Sequence, residues 1–288
     1  MRGIVLAGGT GTRLWPITKC VSKQLLPVFD KPMIYYPIAT LMQAGIREIL
    51  IVTTSEDQPR FNDLLGTGAQ FGVHFSYLVQ TEPRGIAEAF IIGQEFIGKD
   101  SVALVLGDNI FNGFKFEELD LSTFKKGAHI FTYEVASPSA YGVLTLSPDG
   151  SIDSIVEKPL KPMSNLAITG LYFFNSEVVS KARKLIPSKR GELEIVDLIK
   201  SYHEDEKLSF TQLPSGTAWL DTGTPEGLHD ATSYVRIIEE RTSIKIACLE
   251  EIAFRKGWID RLKLSSGLDG RTKNSYSAYL KKLLESGQ

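Results

Sequence analysis

The sequence predicts an α/β protein, a Rossmann-like, mixed, mostly parallel sheet flanked by helices. Three observations carry this. Short β-branched runs alternate with amphipathic helical stretches through the first half of the 288 residues, the pattern of strands joined by helical crossovers. Gly8, Gln80 and Asp108 stand near the carboxyl ends of three such runs, the edge at which open α/β sheets bind ligands. From about His129 the texture changes to short strands separated by turns such as Pro148-Asp-Gly150, expected to form a β-rich layer over one side of the site.

The elements follow in order. An apolar run at Gly3–Ala7 reads as the first strand and breaks at once into Gly8, Gly9 and Gly11. Helical spacing marks Met33–Ala44, Asp57–Leu65 and Ile86–Ile97, the last with Ile86, Ala87, Phe90, Ile91 and Ile97 on one stripe. Strands are expected between them at Glu48–Thr53, His74–Val79 and Ser101–Leu106. The second half reads as strands at His129–Val135, Tyr141–Leu146, Ser151–Glu157 and Leu171–Phe174. Helices at Val178–Leu185 and Glu192–Tyr202 and a strand at Leu208–Leu213 follow. Thr224-Pro225-Glu226 pairs an N-cap with proline at the first helical position and opens a helix toward Arg241. The tail from Ile244 is helical and polar, and no linker or internal repeat interrupts the chain.

Composition removes several function classes. A net charge of -2 with scattered Lys and Arg argues against a nucleic-acid surface. Two cysteines, Cys20 and Cys248, make no disulfide framework, and the four histidines show no ligand spacing for zinc. No stretch reaches the roughly 20 apolar residues that span a bilayer. The N-terminal apolar run is too short for a signal-peptide core, so a cytoplasmic protein is expected.

The glycine loop points to a polyphosphate, because bare backbone N–H groups can approach one where no Cβ intervenes. Arg13 beside the glycines and Lys23 one short loop later are cations suited to that charge. The loop lacks the GxxxxGK[ST] spacing of a Walker A loop. It also lacks the third glycine of the dinucleotide fingerprint, since Thr12-Arg13-Leu14 follows Gly11. A nicotinamide oxidoreductase would further need an acidic residue after the second strand, where Thr53-Thr54-Ser55 stands.

The combination Leu6-Ala-Gly-Gly-Thr-Gly-Thr-Arg13, Lys23-Gln-Leu-Leu-Pro27 and Lys31-Pro32 resembles the signature of the sugar-1-phosphate nucleotidylyltransferases. The resemblance continues in order through Gln80-x-x-Pro83-x-Gly85, Leu106-Gly-Asp108-Asn109, Tyr141-Gly142, Val156-Glu-Lys158-Pro, Gly191-Glu-Leu-Glu-Ile-Val-Asp197 and Trp219-Leu-Asp221. It implies transfer of a thymidylyl group from dTTP to α-D-glucose 1-phosphate, by attack of the sugar phosphate on the α-phosphorus with release of pyrophosphate. It also implies Mg²⁺ as cofactor. The expected organisation is a catalytic domain over 1–240, mainly nucleotide-binding in 1–128 and mainly sugar-phosphate-binding in 129–240. A helical appendage over 241–288 completes it.

Two anionic groups must meet, so catalysis is expected to rest on positioning and charge neutralisation. Arg13, Lys23 and Lys158 are the candidate catalytic cations. Leu6, Gly8, Gly9, Gly11, Thr12, Gln24, Gln80, Pro83, Gly85 and Asp108 are expected to bind the nucleotide, with the Gln80 amide offering a donor and an acceptor to the base. Gly107, Asn109, Tyr141, Gly142, Glu157, Lys158, Thr169 and Trp219 are expected around the sugar phosphate. By the resemblance, Asp108 and Asp221 hold the metal, although an Asp before Thr-Gly also suits a turn or a cap.

UTP or another sugar 1-phosphate remains an alternative substrate, since one methyl in a hydrophobic pocket is worth only about 1–3 kcal/mol. A catalytically silent regulatory subunit predicts loss of Arg13, Lys23, Asp108 or Asp221, and all four are present. The resemblance further implies a homo-oligomer, typically a tetramer, and feedback by a dTDP-sugar at a second site near the C-terminal helices. An added acyltransferase activity is not expected, because no left-handed β-helix repeat follows the catalytic segment.

Overall fold

The computed structural model describes residues 1–9, 11–268 and 274–285; Thr10 of the glycine loop and parts of the C-terminal tail lie outside them. The strands are β1 (Arg2–Ala7), β2 (Pro27–Val28), β3 (Lys31–Pro32), β4 (Glu48–Thr53), β5 (His74–Val79), β6 (Val102–Leu106), β7 (Asn109–Asn112), β8 (Ala128–Glu134), β9 (Gly142–Leu146), β10 (Ile152–Glu157), β11 (Leu166–Phe174), β12 (Leu208–Gln212) and β13 (Ala218–Asp221). The helices are α1 (Tyr35–Gln43), α2 (Gln58–Leu65), α3 (Glu88–Ile92), α4 (Gln94–Ile97), α5 (Val178–Ala182), α6 (Ile195–Glu204), α7 (Pro225–Thr242), α8 (Leu249–Arg255), α9 (Arg261–Ser266) and α10 (Ser275–Glu285). None of the described helices is long and apolar enough to cross a membrane.

The main sheet has nine strands, ordered β10-β9-β11-β6-β1-β4-β5, with β8 pairing β11 and β12. The strands β6, β1, β4 and β5 are mutually parallel, whereas β11 runs antiparallel to β6, β8 and β9. Side chains alternate across the sheet, so β1 sends Val5 to one core with α1 and α8, and Ile4 to another with α3 and α6. Burial on both faces is why β1, β4 and β6 read as continuous apolar runs rather than as alternating ones.

The strands expected at Glu48–Thr53 and His74–Val79 form over those residues. The helix expected over Ile86–Ile97 instead breaks at Gly93, where a Cβ would stand 3.0 Å from Leu50 Cδ2 and 3.1 Å from the Ala89 carbonyl. Strand β11 begins five residues before Leu171. One of its edges is shared, because Leu166 and Ala167 pair with β9 while Leu171–Phe174 pair with β6. At the opening between the two, the Gly170 N–H donates to the Asn109 side-chain oxygen at 3.1 Å. The Thr224 cap forms as expected, its hydroxyl accepting from Gly227 N at 3.1 Å, and α7 runs to Thr242.

His129 is part of the core, tilted against Phe124 and edge-on to Phe131, with ring nitrogens 2.8 Å from Ser209 Oγ and 3.0 Å from Thr211 Oγ1. Burial pushes its imidazole down to about 4. An unfolded histidine titrates near 6.5, so on acidification the unfolded chain takes up the proton first. The contribution of neutral His129 is therefore complete above pH ~6.5 and lost toward pH ~4, and a gap of that size corresponds to about 3 kcal/mol. Urea titrations should show the stability difference between wild type and H129Q shrinking by about that amount between pH 7 and 4. A constant difference would place the acid sensitivity elsewhere.

Candidate active site

A cleft of about 390 Å³ opens along the carboxyl ends of β1, β5 and β6 and passes over the opening beside β11. On one wall lie Leu6, Gly8, Gly9, Gly11, Thr12, Arg13 and Lys23, with Gln80, Pro83 and Gly85 beyond them. On the other lie Asn109, Tyr141, Gly142, Glu157, Lys158 and Trp219. Asp108 and Asp221 lie between the two. Three of the expected residues stay behind the wall. Gly107 is where β6 turns, and a Cβ there would stand 2.8 Å from the Leu6 carbonyl and 2.9 Å from Gln24 Cγ. Gln24 is buried, with Oε1 accepting from Ser22 Oγ at 2.6 Å. Thr169 is fully buried, and among the described residues its hydroxyl has no hydrogen-bond partner.

Two short elements bring the acids together. The ribbon β7–β13 sets Asp221 opposite Asn109, next to Asp108. Thr222 locks this arrangement, its hydroxyl donating to the Asp108 carbonyl at 2.7 Å and its N–H at 3.1 Å. Asp221 Oδ1 accepts from Gly223 N at 3.0 Å. A Cβ on Gly223 would lie 3.0 Å from Asp221 Oδ1, 3.8 Å from Asp108 Oδ2 and 3.7 Å from an Arg13 guanidinium nitrogen, so all three groups converge on one small volume.

Asp108 forms an ion pair with Lys23 and accepts from Asn109 Nδ2 at 3.1 Å. Burial works against its charge, but the Lys23 ammonium outweighs this and holds the carboxyl below its usual range. Asp221 goes the other way, raised by burial and by the negative charge of Asp108. Two acids crowded together with oxygen donors only are suited to a hard cation. Among the described residues no group of three or more His, Cys, Asp or Glu could cage a metal alone. Asp108 and Asp221 could therefore supply two carboxylates of a divalent-cation site, the remaining positions being left to phosphate oxygens and water.

Asn109 organises the far wall. Its Oδ1 accepts from Trp219 Nε1 at 2.6 Å as well as from Gly170 N, and its Nδ2 holds Asp108. Gly170 is required here, since a Cβ would fall 2.6 Å from Asn109 Oδ1. The Trp219 ring lies 5.0 Å from that of Tyr141, giving an apolar wall with polar groups at its rim. Lys158 closes β10 at a φ of 45°, with its N–H on the Tyr141 carbonyl at 2.9 Å and its ammonium 3.0 Å from Glu157.

One cation of the cleft is absent from the residues expected above. Arg190 grips both oxygens of Glu194 at 2.9 Å and stands 3.5 Å from Glu192 and 3.8 Å from Glu157. The signal lay in Gly191-Glu-Leu-Glu194, whose acids flank the arginine. This loop is also tied to the nucleotide side, because Leu193 donates to the Arg84 carbonyl at 2.7 Å and accepts from Ala87 N at 3.2 Å. Gly85 sits between these bonds at a φ of 100°, where a Cβ would come within 2.5 Å of the Leu193 carbonyl. Only glycine fits there.

The sequence profile of the nucleotidyl transferases matches residues 2–236. The chain belongs to the nucleotidyl transferase family. Within that family it is 52% identical to the glucose-1-phosphate thymidylyltransferase of Neisseria meningitidis serogroup A over 287 residues, 99% of this chain and 100% of the relative. The enzyme of the same name from Mycobacterium tuberculosis is also 52% identical, over 99% of both chains. Solved nucleotidyl transferase structures share the fold. A Bacillus anthracis protein described as a glucose-1-phosphate thymidylyltransferase, crystallised with sucrose, superposes with a TM-score of 0.77 at 39% identity, covering 82% of this chain and 95% of its own. A UDP-glucose pyrophosphorylase bound to UDP-glucose gives 0.71 at 26% identity, covering 82% and 98%.

Proposed function

We propose that this nucleotidyl transferase moves the thymidylyl group of dTTP onto α-D-glucose 1-phosphate, giving dTDP-glucose and pyrophosphate, the first step toward dTDP-linked deoxysugars such as dTDP-rhamnose. The observation that carries the reading is the single cleft in which Arg13, Lys23, Asp108 and Asp221 face Glu157, Lys158 and Arg190. A polyphosphate site and an anion-plus-hydroxyl site thus share one space. The substrates themselves are those in the names of the relatives that match over full length. We place the reaction in the cytoplasm, where nucleoside triphosphates are made and used.

The glycine loop receives the triphosphate, and Arg13 and Lys23 spread its charge. A sugar-phosphate oxygen attacks the α-phosphorus, the bond from that phosphorus to the oxygen bridging the β-phosphorus breaks, and pyrophosphate leaves. Lys158 holds the incoming phosphate, while Glu157 accepts hydrogen bonds from sugar hydroxyls. Asp108 and Asp221 would hold Mg²⁺, which supplies further charge neutralisation at the phosphates. Residues 1–128 then serve mainly the nucleotide and 129–240 mainly the sugar phosphate.

Arg190 serves as the second phosphate cation of the sugar side, kept in place by Glu194. R190A should raise KM for glucose 1-phosphate by roughly tenfold, the loss of one charge-assisted contact, and leave KM for dTTP nearly unchanged. Equal effects on both substrates would remove Arg190 from the sugar side. Feedback by a dTDP-sugar fits a second cavity of about 360 Å³ between α1, β7, α7 and α8, where Glu251 and Arg255 lie. Exposed Ile237 and Ile244 on the nearby surface fit assembly into a homo-oligomer, a tetramer by analogy with the family.

Pyrophosphate release with a matrix of nucleoside triphosphates and sugar 1-phosphates, with and without Mg²⁺, tests the whole reading. Release should be fastest with dTTP and glucose 1-phosphate and should need the metal. No release with that pair would overturn the proposal.

A further inference from the structure

Gln80 meets the cleft as a one-sided group. Its Nε2 donates to Glu88 Oε2 at 2.7 Å and to the Gly85 carbonyl at 3.3 Å, so both amide hydrogens are engaged by protein oxygens. Its Oε1 turns instead toward Gly8, where a Cβ would lie 2.9 Å away. Turning the amide over would aim its oxygen at a carboxylate and a carbonyl, losing two hydrogen bonds and setting acceptors against each other. Glu88 is half-buried at the start of α3 and lies outside the cleft lining. It stands behind the wall, yet its bond to Nε2 fixes which atom of Gln80 faces the cleft.

We infer that Glu88 is a positioning residue that sets base specificity: by holding the Gln80 oxygen toward the cleft, it selects bases that present an N–H at the pairing edge. Thymine and uracil carry a hydrogen on N3 and can donate to that oxygen. Cytosine carries a lone pair on N3, which faces the same oxygen as a second acceptor. The amide therefore works as an acceptor alone, rather than as the donor and acceptor that its chemistry offers in isolation. This rests on the proposed function, which places the base at Gln80.

The test measures kcat/KM for dTTP, UTP and dCTP in wild type, E88Q and E88A. Gln at 88 keeps the shape and can support either orientation of the neighbouring amide; Ala releases it. In both variants the dTTP-to-dCTP ratio should fall at least tenfold, mainly through a lower KM for dCTP. The dTTP-to-UTP ratio should hold, since both bases carry the N3 hydrogen. A purely structural Glu88 would lower all three substrates together and move neither ratio. An unchanged dTTP-to-dCTP ratio in either folded variant overturns the inference while leaving the proposed function intact. A wild type inactive with dTTP would instead bring down the proposed function, and this inference with it.

Discussion

D221N is expected to lower kcat by about 10³-fold, or ~4 kcal/mol of transition-state stabilisation, without lowering Tm. The asymmetry follows from the position of the side chain. Asp221 is half-buried, its charge is opposed by burial and by Asp108, and among the described residues its carboxylate accepts a hydrogen bond from the Gly223 N–H alone. An amide relieves the crowding and still accepts that bond, but it carries no charge with which to hold a cation beside the phosphates. D108N should behave differently, because it strips Lys23 of its partner and so lowers activity and stability together. Turnover by pyrophosphate release and melting by scanning fluorimetry separate the two cases. A D221N enzyme with full turnover would remove Asp221 from the metal site, and a marked drop in its Tm would make the residue structural.

E239A should destabilise the fold by about 3–5 kcal/mol, the range for breaking a buried ion pair from one side. Glu239 is only 5% exposed, in the last turns of α7. Its Oε1 accepts from Lys31 Nζ and from Ile246 N, each at 2.9 Å, and its Oε2 accepts from Lys245 Nζ at 2.6 Å. Asp30 completes the cluster, bonded to Lys245 and 2.6 Å from Lys31, and these cations hold it ionised despite its burial. Removing Glu239 leaves two buried ammonium groups to one carboxylate and frees the backbone that leads into α8. Denaturant titration reads the loss directly, and a change below about 1 kcal/mol would show that water or Asp30 compensates.

These two positions show what could be read in advance. The glycine loop was legible because its parts are contiguous: the strand ends, the glycines follow, and Arg13 and Lys23 come within one loop. The central strands were legible for the same local reason, with their β-branched runs bounded by turn residues. The ribbon β7–β13 was not, since each of its strands has four residues and the partners lie more than a hundred positions apart. Trp219-Leu-Asp221 therefore read as part of a turn, although it is the strand that sets Asp221 beside Asp108. Lys31 is instructive in the other direction. It stands inside the most recognisable segment of the chain, yet its ammonium binds Glu239, 208 positions later, away from the cleft. Motif membership marked it, and only packing shows that its work is structural. The polar tail likewise gave little sign that Leu249, Leu264, Leu280 and Leu283 complete the core beneath α1.

The shared edge of β11 has a consequence for how the two substrates are aligned. Leu166 and Ala167 fix β9, which starts just after Tyr141 and pairs the strand that ends at Glu157, while Leu171–Phe174 fix β6, which ends two residues before Asp108. The spacing between attacker and target is thus gauged along one continuous backbone, like two marks on a ruler. Removing a single residue from the stretch between those marks, where β11 departs from regular pairing with β8 between Ile168 and Tyr172, would shift the two marks relative to each other and turn the following side chains to the opposite face. Loops around this cleft can change length and retain its registry; the few residues from Ile168 to Gly170 cannot.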